Sequence, residues 1–405
     1  MWGWLIQTGQ RNQARRQLIF IAAVQVLGMA TWFSASAVVP SLQDEWGISA
    51  GQATWLTAAV QLGFVAGALS SAALNLPDRV PAYRLVAGSA MAAAACTTAV
   101  AAFADGLGVA VPLRFATGFA LAGVYPPGLK LMASWFHRGR GLALGTLIGA
   151  LALGSALPHL ISVADLPWRG VLLAAAGSAV AASVVAGLAV RLGPYAAPAP
   201  PFQPRYAITL FRERGPRLAN LGYFGHMWEL YAMWTWLPAY LAASYATRPG
   251  SVPVGAASFV VIGVAGAIGC LLAGWLGDRA GRARLAAVAM ITSATCCLLA
   301  ALVFGGPPLA VYAVLVVWGA SVIADSGLFS TCMSQVVDPR YVGTALTTQT
   351  AVGFLLTVVT IQATPLLADA LGWPAAVAVL SIGPAAGSIA MLRLQRLLSP
   401  ATEAA

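Results

Sequence analysis

Val171-Leu-Leu-Ala-Ala-Ala-Gly-Ser-Ala-Val-Ala-Ala-Ser-Val-Val-Ala-Gly-Leu-Ala-Val190 runs between Arg169 and Arg191 without a single charge. At about 1.5 Å per residue, such a helix spans the ~30 Å hydrocarbon core of a bilayer. The same ruler applied outward finds twelve candidate spans: 18–39, 53–74, 85–103, 109–136, 142–161, 168–190, 218–245, 254–276, 285–304, 309–336, 344–363 and 373–392. The whole 405-residue chain fits that reading, with 60% hydrophobic residues, 8% charged residues and a mean hydropathy of +0.81. Soluble domains carry about 25% charged residues, so a soluble enzyme is excluded, as is a disordered chain. The run 18–39 follows the basic start Arg11, Arg15 and Arg16. It is longer than the apolar core of a signal peptide and reads as a retained span.

The basic residues test this map. With the N-terminus inside, the inner segments hold 18 of the 22 Lys and Arg residues, among them Arg79, Arg84, Arg140, Arg191, Arg214, Arg217, Arg279, Arg393 and Arg396. The outer segments hold only Arg169 and Arg248, while Arg114 and Lys130 lie inside spans. Inner loops are enriched in this way, so both termini are expected in the cytoplasm, in a bacterial inner membrane. The net charge of +10 is then topology rather than a nucleic-acid surface. The five cysteines lie in apolar runs without metal-ligand spacing and read as small core residues.

A Pro-rich, basic break divides the chain into residues 1–190, a linker at 191–217, and 218–405. Asp78-Arg79 recurs as Asp278-Arg279, Arg84-Leu85 as Arg284-Leu285 and Cys96 as Cys296, all at one offset of 200. This joint order points to a duplicated six-span unit.

The loop after the eighth span reads Gly274-Trp-Leu-Gly-Asp278-Arg279-Ala-Gly281-Arg282. It resembles the signature loop of the major facilitator superfamily, Gly-x-Leu-x-Asp-Arg-x-Gly-Arg. The first-half copy keeps Asp78 and Arg79 but loses both glycines. Span four, Arg114-Phe-Ala-Thr-Gly118-Phe-Ala-Leu-Ala122-Gly123, is similar to the fourth helix of that superfamily, and Trp135-Phe136…Gly141-Leu-Ala-Leu-Gly145 is similar to its anion-carrying branches. The resemblance implies an all-α membrane protein with twelve transmembrane helices in two pseudo-symmetric six-helix bundles. It also implies that the first, fourth, seventh and tenth helices line a central cavity. Gln25, Trp32, Arg114, Tyr125, His226, Glu229 and Asp325 are then expected to converge there for substrate binding or coupling. Asp78, Arg79, Gly274, Asp278, Arg279 and Gly281 are expected to form the gating loops. In physical terms, glycine permits a tight turn and close helix approach, and Asp and Arg can latch one face closed.

Ionisable side chains at membrane depth cost at least about 2.5–3.5 kcal/mol and default to function. Glu229 and Asp325 each lie roughly 16 Å from a membrane face, near the midplane, where a protonatable carboxyl can carry a proton. The plainer alternatives are a static His226–Glu229 hydrogen bond and a helix kink near Gly327. Arg114 reads either as an anion or relay group, with Asp325 a candidate partner, or as an outer ion pair. Lys130 reads as a binding residue if Pro126-Pro127 breaks span four, or as a cation snorkelling to the interface.

The chain has no phosphate-binding Gly-x4-Gly-Lys-Ser/Thr loop, no metal-spaced cluster and no nucleophile triad. A membrane enzyme, a cofactor and a resident metal are therefore not expected. The reading is a monomeric secondary transporter moving a small organic anion with protons. A proton-driven exporter of amphiphiles and a non-transporting sensor on the same scaffold are the alternatives.

Overall fold

The computed structural model describes residues 2–137, 139–196, 202–245 and 253–399; the side chains of residues 2–11, Pro77 and Asp278 lie outside the described set. Among these residues the long elements are all helices. They are α1 (Trp2–Met29), α2 (Val39–Trp46), α3 (Ala50–Ala73), α4 (Ala82–Phe103), α5 (Leu107–Leu121), α6 (Tyr125–Trp135), α7 (Arg140–Ile161) and α8 (Trp168–Leu188). After the Pro-rich stretch come α9 (Arg214–Tyr245) and α10, which begins as Val254–Ser258, passes through a π-helical stretch at Phe259–Ala265 and continues as Gly266–Ala280. The remainder are α11 (Arg282–Leu302), α12 (Pro308–Ala324), α13 (Ser326–Val336), α14 (Val342–Leu371), α15 (Trp373–Leu380) and α16 (Ile382–Leu398).

Among the described residues, ten helical segments are long and apolar enough to cross a membrane. The two expected spans outside that set are the first and the seventh. α1 stops at Met29, and the chain turns through Ala30–Ala35 before re-forming helix. α9 is 32 residues long, but Asn220, His226 and Glu229 dilute its apolar run.

α8 shows why lipid is the solvent. Ala175, Ala179, Ala182 and Ala186 are buried, while Leu173, Val180, Val184 and Leu188 are exposed. Small residues face the neighbouring helices and large ones face outward, which inverts the pattern of a water-soluble helix and suits packing in hydrocarbon.

Close backbone approach sets the frame. A Cβ on Gly63 of α3 would lie 1.9 Å from the Phe115 carbonyl oxygen, and one on Gly118 of α5 would lie 2.0 Å from that of Val60. The second half repeats this contact between α10 and α12, where Gly269 meets the Ala320 oxygen at 1.9 Å and Gly319 meets that of Val261 at 2.1 Å. One methyl group at such a site must push backbone apart. Gly63→Ala is expected to lower stability by about 1–3 kcal/mol, whereas Gly88→Ala, with open space around it, should be neutral. Melting of the two purified variants checks this.

The arginine-bearing end is tied by side chain to backbone bonds. Gln17 Nε2 donates to Ala189 O at 2.9 Å, and Trp135 Nε1 donates to Arg191 O at 2.9 Å. At the opposite end, Glu45 accepts from Trp168 Nε1 at 2.5 Å and Arg169 Nη1 at 2.9 Å. The indole first, and then the guanidinium, hold the Glu45 carboxyl below its ordinary range.

Candidate functional site

The site is built around two breaks. In the first, the hydroxyls of Thr31 and Ser34 bond to Gly28 O at 3.2 Å and Thr31 O at 3.0 Å, competing with the helix ladder. Arg114, 0% exposed on α5, meets the resulting turn. Its Nη1 donates to Thr31 O at 2.9 Å and to Ser34 Oγ at 3.3 Å, Nη2 donates to Trp32 O, and Nε donates to Leu56 O at 3.2 Å. The carbonyls ending a helix carry partial negative charge, and the planar guanidinium fork can serve several of them at once. Arg114 thus ties the end of α1 to α3 and α5. Each of its three nitrogens is engaged there, and it makes no ion pair with Asp325.

The chain at this turn also carries Trp32 and Phe33 into a buried aromatic cluster. Trp32 lies 4.9 Å from Phe64 on α3, 5.8 Å from Tyr231 on α9 and 5.7 Å from Phe354 on α14. Phe33 lies 5.8 Å from Trp234, and Phe64 lies 4.5 Å from Phe354. Both halves of the chain therefore contribute rings to one cluster. Among the described residues, Trp32 Nε1, Trp234 Nε1, Gln25 Nε2 and both amide atoms of Gln61 are buried without a hydrogen-bond partner. Unmade bonds of this kind are costly. Gln25 lies beside α6, where a Cβ on Gly128 would meet its Oε1 at 3.1 Å.

The second break separates α12 from α13 at Asp325. His226 Nδ1 of α9 approaches Asp325 Oδ1 at 2.8 Å, and Ser326 Oγ lies 2.9 Å from His226 Nε2. The imidazole also packs against Phe329 at 5.3 Å and Tyr223 at 6.1 Å. This titratable pair is 2–3% exposed. The parallel break in the first half falls at Ala122–Val124, before Tyr125-Pro126-Pro127, where the sequence expected a kink. Tyr125 opens α6 and packs, half-buried, against the main apolar core.

Glu229 stands apart from that pair. Its Oε1 accepts from Ser293 Oγ at 2.6 Å, Cys297 Sγ at 3.0 Å and Trp318 Nε1. The carboxyl is therefore held among α9, α11 and α12, inside the second half, and its bonds run to these residues instead of His226. Ser293 and Cys297 are four residues apart on one helix face, a spacing that marks them as a pair, but their partner lies on another helix.

The expected gating residues are distributed differently. Asp78 pairs with Lys130 of α6 at an ion-pair contact, so this lysine ties the 76–79 turn to α6. Arg79 is exposed. Arg279 lies over the Trp275 ring at 4.3 Å, and the Asp278 side chain lies outside the described residues. Gly281 has φ +82°, a turn that a side chain would strain. Gly274 makes the expected close approach, with a Cβ position 2.5 Å from Gly141 O of α7.

The sequence matches the Major Facilitator Superfamily over residues 21–361, which covers both breaks, the aromatic cluster and the Gly274–Gly281 turn. The chain belongs to the major facilitator superfamily. This superfamily member is also 27% identical over 302 residues to a protein named "Gallate transporter" from Pseudomonas putida, covering 64% of each chain. It thus spans a little under two thirds of that relative's length. As a member of this superfamily with many apolar membrane-length helices, it is an integral, multi-pass membrane protein.

Proposed function

We propose that this superfamily member is a secondary transporter that carries a small organic anion, an aromatic carboxylate, together with a proton by alternating access. In this reading α1 and α9 complete twelve spans. Residues 1–190 and 218–405 form two pseudo-symmetric six-helix bundles joined by the linker at 191–217. The paired helix breaks and the repeated glycine contacts of α3–α5 and α10–α12 support that division. The relative named for gallate, an aromatic carboxylate, supports the substrate class.

The observation that carries the reading is the buried His226–Asp325 pair at a helix break, with the rings of Tyr223 and Phe329 packed against the imidazole. Intramembrane acids paired in this way mark proton relays, and broken helices mark binding sites. Separation of the two halves parts the aromatic cluster and frees flat ring faces. Stacking on Trp32, Tyr231 and Phe354 then suits a planar substrate. The free indole N–H groups of Trp32 and Trp234 and the amides of Gln25 and Gln61 suit its oxygens.

The test is uptake of radiolabelled gallate into proteoliposomes. Accumulation is expected when the outside is acidified, and it should collapse with a protonophore. An exporter would show the opposite direction, and a sensor would bind gallate without flux. Either outcome overturns the proposal.

A further inference from the structure

We propose that a second site, at the arginine-bearing ends of α9 and α16, binds the phosphate headgroup of an anionic phospholipid. A cavity of about 440 Å³ there is lined by Arg214, Arg217, Leu218, Arg393, Arg396 and Leu397. Four guanidinium groups border one space, and no acid lines it. None of the four makes an ion pair among the described residues, whereas Asp78, Asp325 and Asp338 all have basic partners. Topology requires arginines in the inner loops, but it does not require four of them to face one hollow. Phosphate oxygens accept the forked donors of arginine in pairs.

The surroundings point to a lipid as the source of that phosphate. Leu221, four residues beyond Arg217 on α9, is 50% exposed. On α16, Ile389 and Leu392 precede Arg393 and Arg396 by four residues each and are 53% and 40% exposed. Residues four apart share a helix face. The arginine heads therefore stand at the membrane surface, and an exposed apolar strip continues one turn deeper beneath them. A free phosphate ion has no use for that strip, whereas a phospholipid lays its acyl chains along it. Basic pockets between helices at this depth suit headgroups with two phosphates, and four arginines supply two for each.

The experiment titrates the purified full-length protein in detergent with cardiolipin, with phosphatidylcholine and with inorganic phosphate, reading the melting temperature. Wild type should gain stability saturably with cardiolipin and not with the other two. Arg393→Gln/Arg396→Gln should weaken the apparent affinity at least about tenfold. Arg15→Gln/Arg16→Gln, which removes two exposed arginines of α1, should leave it unchanged. Native mass spectrometry of the wild type, counting retained lipids, gives a readout that does not depend on the folding of any variant. Equal affinity in the Arg393/Arg396 variant, equal loss in the Arg15/Arg16 variant, stabilisation by phosphatidylcholine, or full stabilisation by phosphate alone would each overturn the lipid site.

Discussion

Asp325→Asn is expected to abolish proton-driven accumulation while leaving counterflow exchange of labelled for unlabelled substrate intact. A pH gradient of one unit is worth about 1.4 kcal/mol per proton, or tenfold accumulation for one proton per substrate. The amide keeps the size of Asp325 and its closeness to His226, but it cannot take up or release the proton. Accumulation should therefore fall from about tenfold to about onefold at that gradient. Glu229→Gln is the companion measurement. Its amide oxygen still accepts from Ser293, Cys297 and Trp318, so the bundle stays satisfied, and accumulation should persist. Loss in Glu229→Gln with retention in Asp325→Asn would move the coupling role to Glu229.

The second large effect concerns Arg114. Arg114→Met should destabilise the protein by about 3–5 kcal/mol. The thioether fills part of the space but donates no hydrogen bond, and the carbonyls of Thr31, Trp32 and Leu56 lose their donors at membrane depth. Arg114→Lys keeps the charge, but a single ammonium group cannot reach three carbonyls divided between the turn after α1 and α3, so an intermediate loss is expected. The midpoint of unfolding in sodium dodecyl sulfate measures both. An unchanged midpoint for Arg114→Met would show that the turn holds without the guanidinium, and would release Arg114 for a role in binding.

These two residues also show how far the sequence could be read. The helices were legible because bilayer thickness dictates run length, and the kink before Tyr125 was legible because adjacent Pro126 and Pro127 remove two backbone donors and suit the first turn of a new helix. The turn after Met29 was not. Thr31 and Ser34 look like ordinary hydroxyls in an apolar run, and the group that receives the freed carbonyls lies 83 positions away from Thr31. Counting along the chain sets the expected depth of Glu229 and Asp325, because rise per residue is fixed. Which neighbour each would face depends on helix rotation and packing. So His226 met Asp325 rather than Glu229, and Lys130 met Asp78. In the signature loop, by contrast, chemistry and geometry coincide: Gly281 turns and Gly274 admits a neighbouring helix, as glycine at those places must.

The π-helical stretch of α10 also has a mechanical consequence. Gly255, Gly263 and Gly274 all face α7 closely. In a regular α-helix the first two, eight residues apart, would diverge by about 80° in azimuth. The wider winding at Phe259–Ala265 absorbs about one residue of rotation and brings the three nearly into line. The seam between α7 and α10 is thereby kept straight from end to end, as the proposed rocking of the two bundles would require of its axle.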